Sequence, residues 1–255
     1  MTGADISSFT PSFKDHFSGH SGSYATHRPT YPAALFNFLA DCCEQHNLAW
    51  DCATGSGQAA RALTPFFDQV IATDASDAQI EAAESDPKVG YRIAPAEASG
   101  LDDAAVDLIT VAQALHWFDI PAFLNEAQRV LKPGGVLAVW SYERCTVNPD
   151  CDQVIHKLYA DIVGPYWPPE RELVEDGYRN IELPMPLISA PEFAMKAHWS
   201  VEEMRGYLLT WSASQRYLKD RGSDPLALID ESLRIIWGKE RREVVWPLNI
   251  KIGRV

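Results

Sequence analysis

A glycine-containing loop between two predicted elements holds the first residues with chemical potential. The segment DCATGSGQ, residues 51–58, follows an apolar run and precedes a helical pattern. Gly55 and Gly57 lack a Cβ atom, so the backbone there can adopt a positive φ and approach a ligand closely. The free N–H groups of the following helix would face the same ligand. A plain tight turn between strand and helix is the simpler interpretation.

The glycine spacing only partly matches the dinucleotide-binding pattern GxGxxG. If that pattern starts at position 53, Ala53 replaces its first glycine, and if it starts at Gly55, its last position is Ala60. Many dinucleotide folds accept alanine there, so the loop alone leaves a nicotinamide cofactor open. Asp51, at the mouth of the loop, would repel a pyrophosphate and suits a ligand with an amine or sulfonium.

Two further acidic positions follow the loop in an informative order. Asp74 ends the next predicted strand, roughly 20 residues after the loop, where an acid accepts hydrogen bonds from ribose hydroxyls. Ala96 and Glu97 follow the third predicted strand, where an adenine could stack and bond. Each acid alone could cap a helix or be solvated. Together with the loop, they favour an adenosine-containing ligand without a phosphate.

The elements that must position these residues alternate between strand and helix patterns. Apolar runs predict five strands, over 48–53, 69–74, 89–94, 106–115 and 136–142. Helical spacing predicts helices over 32–46, 58–67, 76–85 and 121–131. Ser76 and Gln79 predict a capping box, and 132–135 a turn. This alternation is typical of an α/β, doubly wound parallel sheet, whose ligands bind at the carboxyl ends of the strands.

The pattern changes after residue 143. Seven prolines fall within 145–192 and disfavour long regular elements, so we expect a cap insertion there with one helix over 151–163. Later segments predict a strand over 192–200, helices over 201–218 and 224–240, and a last strand over 243–255. Ser200 and Glu203 predict a second capping box. We expect one domain over 1–255, with a polar N-terminal arm over 1–31.

Composition narrows the class of protein. The chain has 255 residues, 46% hydrophobic, which is enough for one large domain with a core. Its net charge of -13 disfavours a nucleic-acid partner. The N-terminus carries no leader pattern and no stretch is apolar enough to span a membrane, which predicts a cytoplasmic protein without a membrane partner. Five cysteines without a CxxC pair predict neither a disulfide scaffold nor a metal site.

Four segments in this order resemble class I S-adenosylmethionine-dependent methyltransferases. They are DCATGSGQ (51–58), ATDAS (72–76), APAEASGLDDAAVDLITVAQALHWFD (94–119) and RVLKPGGVLAVW (129–140). YATHRPTYP (24–32), AQALHWFD (112–119) and TWSASQRY (210–217) are also similar to the trans-aconitate methyltransferase-like small-molecule subgroup. The resemblance covers about residues 24–142, with Ala53 departing from the commoner glycine. It implies a Rossmann-like sheet of seven strands whose last two strands, within 192–200 and 243–255, form an antiparallel hairpin.

The resemblance implies S-adenosyl-L-methionine as cofactor and assigns its contacts. Asp74 would hold the ribose hydroxyls, Glu97 would lie near the adenine amino group, and Arg28 would reach the cofactor's carboxylate. The complete set of implied cofactor-binding residues is Tyr24, Arg28, Asp51, Ala53, Gly55, Gly57, Asp74, Ala75, Ala96, Glu97, Gln113 and Ala114.

The acceptor side is less determined. His116, just past the fourth strand, is the candidate base, although it could instead only hydrogen-bond the backbone or shape the pocket. A carboxylate acceptor needs no base at neutral pH, whereas a hydroxyl or an amine does. The candidate substrate residues are His116, Trp117, Trp140, Tyr142, Arg144, Trp211 and Arg216. The two arginines could hold an acid, although surface arginines are usually solvated, and the default for Trp211 is core packing.

We therefore expect methyl transfer to a small molecule, at the oxygen of a carboxylic acid or related metabolite, by a monomer or homodimer. One alternative is a catalytically silent protein that binds S-adenosylmethionine or S-adenosylhomocysteine. Another is an NAD-dependent oxidoreductase, against which Ala53, Asp51 and the missing Tyr-x-x-x-Lys pair count.

Overall fold

A central mixed sheet organises the computed structural model, which describes residues 28–255. Its eight strands are β1 (Leu48–Cys52), β2 (Gln69–Asp74), β3 (Val89–Ile93), β4 (Val106–Ala112), β5 (Leu131–Tyr142), β6 (Leu187–Ile188), β7 (Ala194–Trp199) and β8 (Arg242–Arg254). The α-helices of these residues are α1 (Ala33–Asp41), α2 (Gln58–Leu63), α3 (Asp77–Ala82), α4 (Ile120–Val130), α5 (Pro149–His156), α6 (Arg171–Glu175), α7 (Val201–Leu209), α8 (Ser212–Arg221) and α9 (Asp230–Trp237).

The strand order confirms the predicted doubly wound α/β sheet. The main path runs β3-β2-β1-β4-β5-β8-β6, with β1 to β5 parallel and β8 antiparallel to β5. The chain winds outward in opposite directions from β1 and β4, so the crevice for a ligand lies at their carboxyl ends. The short β6 raises the strand number to eight.

The last strand, β8, changes partners along its length. Its first half pairs with β7, from Arg242 opposite Trp199 to Pro247 opposite Ala194. From Leu248 onward it pairs with β5. Pro247 stands at the change, where its missing N–H group is tolerated. The predicted antiparallel pairing of these two strands is confirmed, but they form no hairpin, because α7, α8 and α9 lie between them.

Apolar side chains fill both faces of the sheet and a separate helical layer. Trp50, Ile109 and Phe123 belong to the cluster on one face, while Leu35 and Leu108 belong to the cluster on the other. Burial on both faces explains the almost unbroken apolar runs of β1 and β4. A third cluster joins α5, α7 and α9 to the first half of β8.

Several helix boundaries differ from the sequence predictions. The helix predicted over 58–67 ends at Leu63. Ser76 precedes α3, but its side chain does not cap the helix, so the capping box with Gln79 is wrong. The second capping box is confirmed, since the Ser200 hydroxyl accepts from the Glu203 N–H and the Glu203 carboxylate accepts from the Ser200 N–H.

Three other segments are broken or joined differently. The predicted helix over 201–218 divides into α7 and α8 around Thr210 and Trp211, and the one over 224–240 is a 3-10 turn followed by α9. The predicted turn over 132–135 is instead a bulge within β5, where the register shifts between the pairs Val106–Leu131 and Leu108–Val136. Gly134 has a φ of 82° within that bulge.

The region predicted as a cap contains α5, a π turn over Lys157–Ile162, α6 and β6. The predicted helix over 151–163 thus begins earlier, at Pro149, and continues after His156 as a π-helix. The buried apolar side chains of the region's first part, up to Val163, share one cluster with those of α7 and α9, so the helical layer extends past residue 192. Val174 and Tyr178 belong instead to the cluster on the Trp50 face of the sheet. The division of the chain at 145–192 stays a prediction.

Residues 28–255 contain no helix that is long and apolar enough to cross a membrane. Within the same range, no group of three or more His, Cys, Asp or Glu side chains is placed to hold a metal ion. All five cysteines are buried free thiols.

Candidate functional site

The loop after β1 has an unusual backbone. Ala53, Gly55 and Gly57 have φ values of 55°, 54° and 80°, so three of five consecutive residues are left-handed. This conformation is easy for glycine and costs an alanine about 1 kcal/mol. The N–H of Thr54 donates to the Thr73 carbonyl at 2.9 Å, which anchors the loop beside β2. The coiled backbone brings the start of α2 to the carboxyl edge of the sheet.

The two glycines have different surroundings. A Cβ atom at Gly57 would overlap the hydroxyl and ring of Tyr91 on β3. A Cβ atom at Gly55 would meet only the Gln79 side chain, 3.8 Å away. Gly57 is therefore required by packing as well as by its φ, whereas Gly55 leaves room on its open side for a ligand to approach.

Asp74 lies at the end of β2, as predicted. One carboxylate oxygen accepts from the Gly55 N–H and the other from the Ser76 N–H, both at 2.9 Å. The side chain is half-buried. A carboxylate aimed by two backbone groups beside the loop has the chemistry to accept hydrogen bonds from a pair of ribose hydroxyls, so the site fits an adenosine-containing cofactor.

Asp51 is enclosed rather than open at the loop mouth. Its carboxylate accepts from the Thr54 hydroxyl at 2.6 Å, the Thr110 hydroxyl at 2.7 Å and the Ala60 N–H at 3.0 Å. Burial raises its pKa to about 6, against the opposing effect of these donors. Asp51 thus ties the loop and α2 to β4, and any contact with a cationic ligand group would share the carboxylate with these partners.

The predicted adenine side of the site lies after β2 and β3. Ala75 is half-buried directly after Asp74, and Ala96 is buried. Glu97 is half-buried and accepts from the Asp119 N–H at 2.9 Å, which joins the loop after β3 to the loop before α4. These residues surround the same edge of the sheet as the glycine loop. Their contacts with adenine stay predictions.

Gln113 connects the ends of β4 and β5. It has a positive φ of 59°, and its amide group donates to the Tyr142 carbonyl and accepts from the Tyr142 N–H, at 3.1 and 2.7 Å. The side chain thus extends the pairing of the two strands beyond their last backbone bond. The neighbouring Ala114 is buried.

Arg28 joins this edge to the helical layer. Its guanidinium donates to the Tyr142 hydroxyl and lies 5.6 Å from the centroid of the Tyr207 ring on α7. These contacts place Arg28 above the end of β5, and its predicted role at a cofactor carboxylate stays a prediction. Tyr24 lies outside the described residues.

His116 is held in a buried pair. Its Nδ1 lies 2.8 Å from the hydroxyl of Tyr178, which is itself 1% exposed. Burial, assisted by the charge of Arg171, lowers the pKa of His116 to about 3. The imidazole is therefore neutral at pH 7 but is a very weak base. The half-buried Trp117 ring packs against it at 4.7 Å between centroids.

Two arginines contact one tyrosine ring at the carboxyl side of β5. The guanidinium carbons of Arg144 and Arg171 lie 5.2 and 5.6 Å from the centroid of Tyr159. Arg171 also donates from Nε to the Tyr159 hydroxyl at 3.0 Å, and that hydroxyl donates to Glu175. Arg144, which is exposed, donates to His156 at 2.6 Å. Cation–ring contacts of this kind fix long side chains without neutralising them.

Sequence reasoning missed Arg171, Tyr159 and Tyr178. All three lie in the proline-rich 145–192 region. Tyr159 falls within the predicted helix over 151–163, but that pattern does not pair it with an arginine. No element was predicted at Arg171 or Tyr178. The region is not enriched in aromatic or basic residues, so its composition gives no signal either. Tertiary packing alone brings Tyr178 to His116 and Arg171 to Tyr159.

Two predicted substrate tryptophans are core residues. Trp140 is fully buried and packs against Tyr31 and Phe36 on the α1 side of the sheet, so its side chain belongs to the core there. Trp211 is buried among the rings of Tyr159, Trp167 and Tyr207.

The half-buried Arg216 donates to the Tyr166 carbonyl at 3.3 Å, which ties α8 to the turn after α5. Two surface depressions, of about 600 and 180 Å³, lie at the opposite edge of the sheet, around residues 68–69 and 132–135. Neither contains a residue of the candidate site.

Comparisons with known proteins agree with this geometry. Residues 50–139 match the family described as a methyltransferase domain. A Dictyostelium discoideum protein named as a methyltransferase is 38% identical over 225 residues, covering 87% of this chain and 86% of its own length. A Saccharomyces cerevisiae protein named as an S-adenosylmethionine-dependent methyltransferase is 24% identical, covering 80% and 83%. A solved structure from Anaeromyxobacter dehalogenans, described as a type II methyltransferase, is 43% identical with a TM-score of 0.83, covering 89% of this chain and 97% of that one.

Proposed function

This chain belongs to the class I S-adenosylmethionine-dependent methyltransferases, and we propose that its acceptor is a carboxylate oxygen of a small organic acid. The family argues against both alternatives to methyl transfer, an NAD-dependent oxidoreductase and a catalytically silent binding protein. A specific kinship with the trans-aconitate methyltransferase-like subgroup stays a prediction, as does a monomeric or homodimeric state.

The observation that carries the proposal is the pair of arginines on Tyr159. The chain has a net charge of -13, yet Arg144 and Arg171 converge on one ring beside the carboxyl end of β5. Glu175 contacts this group through the Tyr159 hydroxyl. Guanidinium groups bind carboxylates through paired, charge-assisted hydrogen bonds. An acidic acceptor would find there two guanidinium groups in a chain whose net charge is negative.

The weak basicity of His116 supports the same acceptor class. A carboxylic acid is already ionised at pH 7, so no proton has to be removed before it accepts a methyl group. A phenol or an amine would require a base whose pKa lies near the working pH. The pKa of His116, lowered to about 3, is far from that value.

The chain's own residues then bind and orient. When bound, S-adenosylmethionine supplies a methyl group already activated on a sulfonium. We infer that Gly55 and Asp74 hold the ribose side and that Arg28 pairs with the amino-acid carboxylate. The Gln113–Tyr142 pairing keeps the ends of β4 and β5 at a fixed separation. Holding donor and acceptor in line and excluding water are the main requirements for such a transfer.

The test is methyl transfer by the full chain from S-adenosylmethionine labelled in its methyl group. Small mono-, di- and tricarboxylic acids would be compared with phenols and amines of matching size. We expect label only in base-labile methyl esters. Transfer confined to phenols or amines would contradict the acceptor class.

Arg171→Lys tests the arginine pair within this assay. Lysine keeps the charge but loses the planar fork, so the KM for the acid should rise about tenfold, or ~1.4 kcal/mol. Arg179→Lys is the matched control, because Arg179 is exposed and pairs only with Asp176 among the described residues. An equal KM change in both variants would remove Arg171 from the acceptor site.

A further inference from the structure

The pairing of His116 with Tyr178 has features that a simple packing contact does not need. Tyr178 has a φ of 58°, although it is not glycine and is 1% exposed. It follows Gly177, which has a φ of 61°, so two consecutive left-handed residues end α6. A bulky residue held in this region costs about 1–2 kcal/mol and persists where surrounding structure requires its position.

The surroundings of the Tyr178 oxygen define its donor direction. Burial raises the pKa of the Tyr178 phenol well above its usual range. The phenol is therefore protonated. Among residues 28–255, His116 Nδ1, 2.8 Å away, is the one hydrogen-bond partner found for the phenol oxygen. The buried O–H has no other acceptor there and therefore donates to Nδ1.

A donor at Nδ1 determines which imidazole nitrogen carries the proton. His116 is neutral at pH 7, so it carries one ring proton. If Nδ1 accepts from Tyr178, that proton is on Nε2. No hydrogen-bond partner for Nε2 is found among residues 28–255, and the side chain, at 9% exposure, keeps some access to solvent. Nε2–H is thus available to a ligand at the end of β4.

We propose that Tyr178 is a positioning residue that holds His116 as the neutral Nε2–H tautomer, so that His116 donates a hydrogen bond to the acceptor's non-reacting carboxylate oxygen. This role of His116 deepens the proposed function and rests on it for the identity of the acceptor. The tautomer inferred from the Tyr178–His116 geometry does not depend on that identity. Among the described residues, Arg171 is the charged group that acts on the imidazole, and its positive charge opposes protonation of the ring.

The first readout is independent of activity. Nitrogen-15 NMR of the full chain with labelled histidine reports the tautomer and protonation state of His116. We expect the Nε2–H form in the wild type, without protonation between pH 5 and 8. Tyr178→Phe should populate the Nδ1–H form, whereas Tyr166→Phe, which removes a phenol that contacts Asp220 and Arg221, should not. A wild-type Nδ1–H tautomer, or titration near pH 6.5, would overturn the proposal.

The second readout separates donation from proton removal. Glutamine can place an N–H near the position of Nε2 but cannot act as a base, whereas leucine offers neither. We expect His116→Gln to have a kcat/KM for the acid at least about fivefold above that of His116→Leu, mostly through KM. Equal losses in both variants would overturn the donor role. If no acid in the panel is methylated, the acceptor assignment fails, and the NMR tautomer still decides the role of Tyr178.

Discussion

At the scale of single residues, the acids around the glycine loop divide into two kinds. Asp51 is enclosed and its carboxylate bonds only to the loop, α2 and β4 among the described residues. Asp74 is half-buried, and backbone groups orient it at the sheet edge. Each stands at or just before the end of a parallel strand, but only Asp74 has a carboxylate positioned to meet a ligand as well as the chain. Cofactor affinity should therefore depend more directly on Asp74.

Asp74→Ala should weaken S-adenosylmethionine binding at least tenfold, or about 1.4 kcal/mol, because it removes the acceptor for the ribose hydroxyls. Isothermal titration calorimetry measures the change. Asp77→Ala is the control, since Asp77 is an exposed acid three residues away. Unchanged affinity in Asp74→Ala, with the variant still folded, would contradict the ribose assignment.

At the scale of elements, the loop between β1 and α2 depends on two glycines for different reasons. Both have positive φ, but only Gly57 lies against the Tyr91 ring of β3. The capping box at the start of α7 stabilises its element through hydrogen bonds rather than through backbone conformation. It satisfies helix N–H groups that have no partner within the helix.

Gly57→Ala should destabilise the protein more than Gly55→Ala. Each substitution pays about 1 kcal/mol for the left-handed backbone, and Gly57→Ala adds the overlap with Tyr91. Combining it with Tyr91→Ala should recover part of the loss as a coupling energy of at least about 0.5 kcal/mol. Urea denaturation of Gly55→Ala, Gly57→Ala, Tyr91→Ala and the Gly57→Ala/Tyr91→Ala double variant measures their free energies of unfolding. Purely additive effects of Gly57→Ala and Tyr91→Ala would show that the overlap is relieved in another way.

Ser200→Ala should lower the free energy of unfolding by about 1 kcal/mol, because α7 loses its N-terminal cap. Ser223→Ala, in an exposed loop, is the matched control and should change it by less than about 0.5 kcal/mol. Thermal or urea unfolding compares the two, and similar losses would indicate that the cap contributes little.

At the scale of the whole molecule, two buried groups make stability depend on pH in opposite directions. The pKa of His116 is lowered to about 3, so the unfolded chain binds more protons below pH 6.5 and stability falls as the pH falls. The pKa of Asp51 is raised to about 6, so its contribution to stability is largest in acid and is lost as the pH rises from about 3.8 to 6.

Between pH 7 and pH 5, protonation of an unfolded histidine alone removes about 2 kcal/mol of stability. His116→Gln should therefore lose less stability than the wild type over this interval. Asp51→Asn should lose more, because the opposing carboxyl is gone. Urea unfolding at the two pH values checks both signs. The same pH dependence in all three proteins would show that neither group has the shifted pKa described here.

The sequence by itself determined the doubly wound α/β class, the succession of the five parallel strands along the chain and the positions of the loop and Asp74. These follow from local signals: strand periods, glycine positions and acids at strand ends recur at fixed distances along the chain. It also predicted the capping box at Ser200, whose groups all lie within three residues, but the same spacing at Ser76 forms no box.

Only the tertiary structure decided which side chains meet. Trp140 lies on β5. The sequence of a single strand does not show which side chains meet a ligand, so Trp140 was wrongly expected among the substrate residues. Tyr178, Arg171 and Tyr159 come from the proline-rich region. Tyr178 reaches His116 by packing with the cluster on one face of the sheet, and Tyr159 meets Arg171 in the helical layer. Contacts between distant segments depend on how elements pack in three dimensions, which local sequence patterns do not encode.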